Sequence, residues 1–118
     1  MKRGDIVIAS FPQSASAASA PKNRPVLIVQ ANYYNQRIHN VLVAVITSNL
    51  ARKSDVAHFF IEAQSPVGKL AGLNQDSLVS CLNLAVMLKN DLGRKIGELS
   101  IESMRQIDDC LKAAMGIG

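Results

Sequence analysis

The apolar positions fall into short blocks separated by polar and proline-rich stretches. Asp5–Phe11 is rich in Ile and Val, is closed by Pro12, and reads as a strand. A second strand opens at Arg24-Pro25 and covers Val26–Gln30. A proline is tolerated at a strand's first residue because its missing N–H falls at the end of the ladder. Val41–Ile46 is an unbroken apolar run, too short for a typical helix and dominated by Val and Ile, so it reads as a fully buried strand. His58–Glu62 predicts a short strand around Phe59-Phe60-Ile61. Asp76–Leu82 and Leu84–Leu88 predict two strands, or one bent strand broken at Asn83.

The intervening segments lack periodicity. Gln13–Asn23 is made of Ser, Ala, Pro and polar residues and predicts a loop longer than most in a small domain, of the kind that often carries function. Asn32–Gln36 and Ser65–Gly68 read as turns, and Ala51–Ser54 as a loop carrying Arg52 and Lys53. Leu70–Leu73 fits no single pattern, and Asn90-Asp91 and Gly93 punctuate the stretch beyond. The C-terminus alone has a helical period: Ser100 is a good N-cap and Glu102 suits the first turn. Ile101, Met104, Ile107 and Leu111 form one stripe, Met115 extends it, and Gly116 is a natural stop. The expected fold is mainly β (α+β): a small SH3-like or Greek-key barrel of five to seven strands closed by a C-terminal helix. At 118 residues, with no repeat and no linker, residues 1–118 read as a single domain.

Composition narrows this picture. Hydrophobic residues at 48% and charged residues at 19% argue against disorder. Aromatics are scarce, so the core is expected to be Val, Ile, Leu and Ala. A net charge of +4 gives a mild bias toward anionic partners. Cys81 and Cys110 have no CxxC spacing and no nearby His, so buried reduced thiols and a cytoplasmic protein are expected. The start, MKRGDIVIASFPQSASAASA, imitates a secretory leader, but Asp5 interrupts it and Ile6–Phe11 falls short of the roughly 7–15 apolar residues such leaders use. No segment approaches the roughly 20 apolar residues of a membrane span, so no membrane association is expected. No Gly-rich phosphate loop, dinucleotide fingerprint or zinc signature is present. His39 and His58 are expected to be surface or satisfied histidines, and Asp108-Asp109 a solvated pair on a helix face.

Several motifs then stand in one order along the chain: Gly4-Asp5-Ile6-Val7; Lys22-Asn23-Arg24-Pro25-Val26-Leu27-Ile28-Val29; Val45-Ile46-Thr47-Ser48; Leu73-Asn74-Gln75-Asp76-Ser77; and Ile96-Gly97-Glu98-Leu99-Ser100. Each is weak alone, but together they span nearly the whole chain. The sequence resembles the MazF/PemK/Kid toxin family. That resemblance implies a PemK/CcdB-like barrel and a homodimer. It implies a metal-independent endoribonuclease, with no cofactor, that cuts single-stranded RNA in the cytoplasm to stop translation and growth. It also implies a small antitoxin, expected to be acidic, whose extended segment covers the RNA groove; the toxin–antitoxin complex would bind operator DNA chiefly through the antitoxin. The family's catalytic Arg falls on Arg24 and its catalytic Thr or Ser on Thr47, whereas Asp76 and Ser77 read as architectural. One departure is plain: the loop before Arg24-Pro25 is Ser14–Pro21, without the Gly and Glu that many relatives carry there.

Metal-free RNA cleavage can use the substrate's own 2′-hydroxyl as nucleophile, leaving a 2′,3′-cyclic phosphate and a 5′-hydroxyl. Such a site needs proton transfer and positive charge at the crowded phosphate. Arg24 offers a planar bidentate cation that is a poor classical base, and Thr47 offers a hydroxyl that donates or accepts. Lys22, Arg52 and Lys53 would extend a phosphate-binding stripe, Ser48 would bind the RNA beside Thr47, and Gln13, Ser14, Ser16 and Ser19 would reach bases from the long loop. Two alternatives stay open: an inactive nucleic-acid-binding barrel, and a gyrase-poisoning toxin of the same fold.

Overall fold

The computed structural model describes residues 1–11 and 22–118. Gln13, Ser16 and most of the expected long loop lie outside the described residues. Six strands, β1 (Asp5–Phe11), β2 (Lys22–Ile28), β3 (Asn40–Thr47), β4 (His58–Ile61), β5 (Ser77–Leu88) and β6 (Leu92–Glu98), alternate with three helices, α1 (Asn32–Asn35), α2 (Pro66–Ala71) and α3 (Ile101–Met115). The strands form one antiparallel sheet in the order β4-β5-β3-β2-β1-β6. The mainly-β class with a C-terminal helix is as expected, but the sheet is not a closed barrel: β4 and β6 end the order without pairing to each other.

Alternation along the strands gives the sheet two apolar faces. On one face Ile6, Leu27, Ala44, Ile46, Val79 and Cys81 pack against Ala71 of α2 and Met104, Ile107 and Cys110 of α3. On the other, Val7, Ala9, Val26, Ile28, Val41, Val43 and Met87 form a second cluster. α3 starts where the sequence places it, with the Ser100 side chain accepting from the Ser103 N–H at 3.1 Å, and ends at Gly116 in the left-handed conformation. Its stripe is shifted from the expected one: Ser103, Met104, Ile107 and Cys110 are buried, while Ile101 stands 76% exposed.

Four local expectations change. β2 begins four residues before Val26, so Arg24 and Pro25 lie inside a strand. Asn32–Asn35 is a short helix rather than a turn. Ser65–Gly68 is the start of α2: Ser65 caps it by accepting from the Gly68 N–H at 3.1 Å, and Pro66 takes the first helical position, where no N–H is needed. The two predicted strands around Asn83 are one strand, with a register shift between Ala44↔Leu84 and Val45↔Ser80 that leaves Cys81, Leu82 and Asn83 as an insertion. β6 was not expected. Its Gly97 lies so close to α2 that a Cβ there would overlap the Ala71 carbonyl, and Gly72 (φ +73°) in turn lies against the Ile96 carbonyl. The Ile96–Ser100 motif is thus a close-packing device that holds β6 to α2 and leads into α3.

Both cysteines are buried and unbridged, as expected. Burial, with the neighbouring Cys110 adding to it, pushes the Cys81 thiol up to about 12, and burial also raises Cys110. No described helix is long and apolar enough to cross a membrane.

Candidate active site

Arg24 and Thr47 meet because of strand register. The β2–β3 ladder pairs Ile28↔Val43, Leu27↔Ala44 and Val26↔Val45, then ends beside Pro25, which has no N–H to extend a ladder. Continuing that register by two residues sets Arg24 opposite Thr47, on the face that carries Val26 and Val45. Both residues are half-buried, and both line the same two pockets.

Thr47 has one hydrogen-bonding task already assigned: its Oγ1 accepts from the Asn49 N–H at 3.1 Å. That bond fixes the side chain at the strand end and leaves the O–H free to donate. The chain then turns: Asn49 Oδ1 accepts from the Ala51 N–H at 3.0 Å, and the Lys53 and Asp55 N–H groups donate to the carbonyls of Leu50 and Arg52. This series of turns brings Arg52 to the rim of the first pocket. Among the described residues neither Arg24 nor Arg52 forms a salt bridge. The segment from Pro12 to Pro21 contains no acidic residue.

The first pocket, of about 450 Å³, is walled by Arg24, Thr47, Asn49 and Arg52 and floored by Val45, Leu78, Ser80 and His58. The second, of about 490 Å³, lies on the other side of Arg24 and Thr47 and presents Asn23, Ser48, Asn74, Gln75 and Ser77. No carboxylate lines either one. A cation-bearing ridge with amides and hydroxyls on both sides suits an anionic, hydrogen-bonding chain laid across it.

The structure sorts the residues expected to bind alongside Arg24 and Thr47. Ser48 and Arg52 reach the pockets. Lys53 does not: its ammonium sits 4.5 Å from the Phe60 ring centroid, so a cation–π contact draws it away from either pocket wall. The backbone of Lys22 begins β2. Asp76, expected to be architectural, accepts from the Ala63 N–H at 2.8 Å, and the Ser77 hydroxyl donates to the Gln75 carbonyl at 2.8 Å.

Sequence reasoning missed three groups. His58, expected to be a surface or satisfied histidine, is half-buried and half-satisfied: it lines the first pocket, its Nε2 lies 3.0 Å from Ser80 Oγ, and its buried Nδ1 has no partner among the described residues. Asn83 reaches the same pocket from the insertion in β5, and Asn74 with Gln75 forms the far wall of the second. No spacing in the sequence signals them, since they converge only through β3–β5–β4 pairing and the α2–β5 connection. His39 is exposed, as expected, whereas Asp108 is half-buried in an ion pair with Arg3 at 2.6 Å. No cluster of three or more His, Cys, Asp or Glu suited to a metal occurs among the described residues.

Comparison with known proteins bears on the whole chain. The family model described as PemK-like, MazF-like toxin of type II toxin-antitoxin system matches residues 2–115. A relative named Endoribonuclease MazF2, from Mycobacterium bovis, is 31% identical over 103 residues, covering 86% of each protein. Endoribonuclease MazF3 of Mycobacterium tuberculosis is 38% identical over 82 residues, covering 70% of this chain and 72% of the relative. Among solved structures, the Mycobacterium tuberculosis toxin MazF-mt6 superposes with a TM-score of 0.77 at 29% identity, over 97% of this chain and 98% of that one. A mycobacterial endoribonuclease in complex with its cognate antitoxin shares the fold at a TM-score of 0.75 and 20% identity, covering 100% of this chain and 97% of that one.

Proposed function

The chain belongs to the PemK-like, MazF-like toxin family of type II toxin–antitoxin systems, and from that premise we propose that Arg24 and Thr47 are the catalytic pair with which it cuts single-stranded RNA. It is an endoribonuclease toxin held in check by an antitoxin. The observation that carries the site is the common wall: Arg24 and Thr47 both line two pockets free of carboxylates, on strands whose register, continued, sets them opposite each other. A scissile phosphate on that wall has bases to place on either side.

The reaction follows from the groups present. The 2′-oxygen attacks the adjacent phosphorus, the bond from phosphorus to the 5′-oxygen breaks, and a 2′,3′-cyclic phosphate forms. The proton lost from the 2′-hydroxyl is matched by one gained at the departing 5′-oxygen. Arg24, with no competing salt bridge among the described residues, spreads its charge over the phosphoryl oxygens as negative charge builds on them. Thr47, with Oγ1 held by the Asn49 N–H, donates its hydroxyl hydrogen to the phosphate. Arg52 and Ser48 steady the backbone on either side, with Lys22, Gln13 and Ser16 assigned to the same groove from the sequence. The enzyme acts as a cytoplasmic homodimer, residues 1–118 forming one toxin domain. Its antitoxin is small and acidic, to match the carboxylate-free groove, and carries most of the operator DNA binding of the complex.

Purified protein incubated with a long single-stranded RNA in EDTA, with Arg24→Ala alongside, tests this. Cleavage by wild type alone, leaving cyclic phosphate and 5′-hydroxyl ends, is the expected result. Wild-type activity in Arg24→Ala would overturn the site. A folded wild-type protein that binds RNA but never cuts it would favour the inactive nucleic-acid-binding barrel.

A further inference from the structure

The sheet face that carries Arg24 and Thr47 is a lattice with two rows across it. One row runs Ala9, Arg24, Thr47, Leu78, Phe60; the next runs Val7, Val26, Val45, Ser80, His58. The second row is valine until it reaches β5 and β4. There it becomes a serine with 6% exposure bonded to a histidine, at the floor of the first pocket. Burying a hydroxyl and an imidazole in a valine row costs free energy unless both are used. Among the described residues they are used only in part.

Burial fixes the hydrogen on His58. Its buried Nδ1 has no partner among the described residues, so a hydrogen there would be an orphaned donor, a rarer and costlier defect than an unused lone pair. The hydrogen therefore belongs on Nε2, which donates to Ser80 Oγ across 3.0 Å. That bond occupies a lone pair of the oxygen and leaves the Ser80 O–H as a donor with no acceptor among the described residues. Asn83, inserted beside it in β5, has an amide with no hydrogen bond among the described residues and faces the same pocket.

Distance separates this cluster from the chemistry. Ser80 lies one strand across and two residues along from Thr47, a diagonal of roughly 7–8 Å. His58 lies three strands from Arg24, roughly 14 Å at about 4.8 Å per strand. Spacings of that size set the pair beside a phosphate at Arg24 and Thr47 rather than on it, with His58 Nε2 already engaged by Ser80 Oγ.

We infer that Ser80 and Asn83, with His58 as the positioning residue that aims the Ser80 hydroxyl, form a nucleobase subsite that reads the base next to the scissile phosphate. Ser80 donates to a carbonyl oxygen or ring nitrogen on the edge of that base, and the Asn83 amide supplies the adjoining donor or acceptor. The inference rests on the RNA-cleaving reading of Arg24 and Thr47, and it makes the sheet floor a source of sequence choice.

The test uses the full chain and a single-stranded RNA pool with randomised sequence, with 5′-hydroxyl ends mapped by sequencing. Wild type is expected to discriminate at one position adjoining the cut. Ser80→Ala and His58→Leu should each flatten that preference by about tenfold or more, leaving the positions beyond it as in wild type. His58→Gln, which keeps a donor near the Nε2 position, should restore most of it. An equal fall in rate at every site with the preference intact would overturn the subsite. So would a His58→Leu variant that loses one limb of the pH–rate profile with its sequence preference unchanged. Ser80→Ala removes one oxygen and leaves the fold little strained, so an unaltered preference in that variant alone is enough to sink the proposal. Cutting by wild type with unchanged preference in the variants fails the subsite only, whereas no cutting by wild type fails the parent reading with it.

Discussion

Strands β2 and β3 end in opposite ways. At the end near α1, the polar groups are closed on one another. Gln30 Nε2 donates to Asn35 Oδ1 at 3.0 Å and to the Asn40 carbonyl at 2.8 Å, and Gln30 Oε1 accepts from the Leu42 N–H at 3.2 Å. Buried Asn35 returns a bond to the Gln30 carbonyl at 2.9 Å, and Lys89 donates to the Asn35 carbonyl. Arg3 is held by the Val29 carbonyl at 2.9 Å and by Asp108. At the other end, Arg24 and Arg52 form no salt bridge among the described residues, the Thr47 O–H is free to donate, and His58 and Ser80 are half-satisfied. The two ends of β2 and β3, with the elements packed beside them, thus carry a network complete without a ligand and a set of groups whose partners come from outside. Stability and chemistry should therefore separate by strand end.

The largest expected effect breaks the open end. Arg24→Ala should lower cleavage by roughly 10³-fold or more, the scale for arginines that neutralise a phosphoryl transition state. Its unfolding free energy should stay within about 0.5 kcal/mol of wild type, because the residue packs little and pairs with no described side chain. Next, Thr47→Val keeps the shape and removes the hydroxyl, and should cost about 10²-fold in cleavage rate, while Thr47→Ser retains most activity. Single-turnover assays on one defined RNA check both, with thermal melts alongside. A Thr47→Val enzyme as fast as wild type would reduce Thr47 to a turn residue for Asn49.

The closed end should respond the other way. Asn35→Ala leaves the Gln30 amide and carbonyl without their partner in a buried setting, so unfolding free energy should fall by about 1–3 kcal/mol. Cleavage per folded molecule should be unchanged. Denaturant titration beside the same cleavage assay measures both. Lost activity in a stably folded Asn35→Ala would mean that the two ends are coupled and that the separation by strand end is wrong.

This division explains what was legible in the sequence. β1, β3, β4 and α3 were readable because each is a local signal: a Val- or Ile-rich run, or a capped helical period. β6 was not, because LGRKIGE has no alternation; it is a strand because Gly97 and Gly72 let it lie against α2. α2 is too short to show a period, and only its Ser65-Pro66 cap could have marked it. Arg24 and Thr47 were found through motif resemblance rather than chemistry, since an arginine in a strand and a threonine at a strand end are ordinary residues. His58 and Ser80 stand 22 positions apart and meet only through β4–β5 register, so no one-dimensional pattern could join them.

The smallest effect at neutral pH belongs to the thiol pair in the core beneath α3, and it sharpens the comparison by adding a region buried from solvent. Cys81 is pushed from 9.0 to about 12, chiefly by burial and then by its neighbour Cys110. A folded value above the unfolded one means that the native state keeps its proton while the unfolded chain gives its proton up. The resulting stabilisation is therefore fully present below about pH 9 and is lost as pH rises toward 12. Thermal melts should be flat with respect to this group through neutral pH and slope downward above pH 9, with the slope reduced in Cys81→Ala. Both thiols should resist alkylation in the folded protein at neutral pH, since the thiolate is the reactive form. Rapid alkylation of Cys81 in the native state, at a rate above global unfolding, would mean that α3 opens from the sheet. The apolar face would then be as open to partners as the groove across the sheet from it.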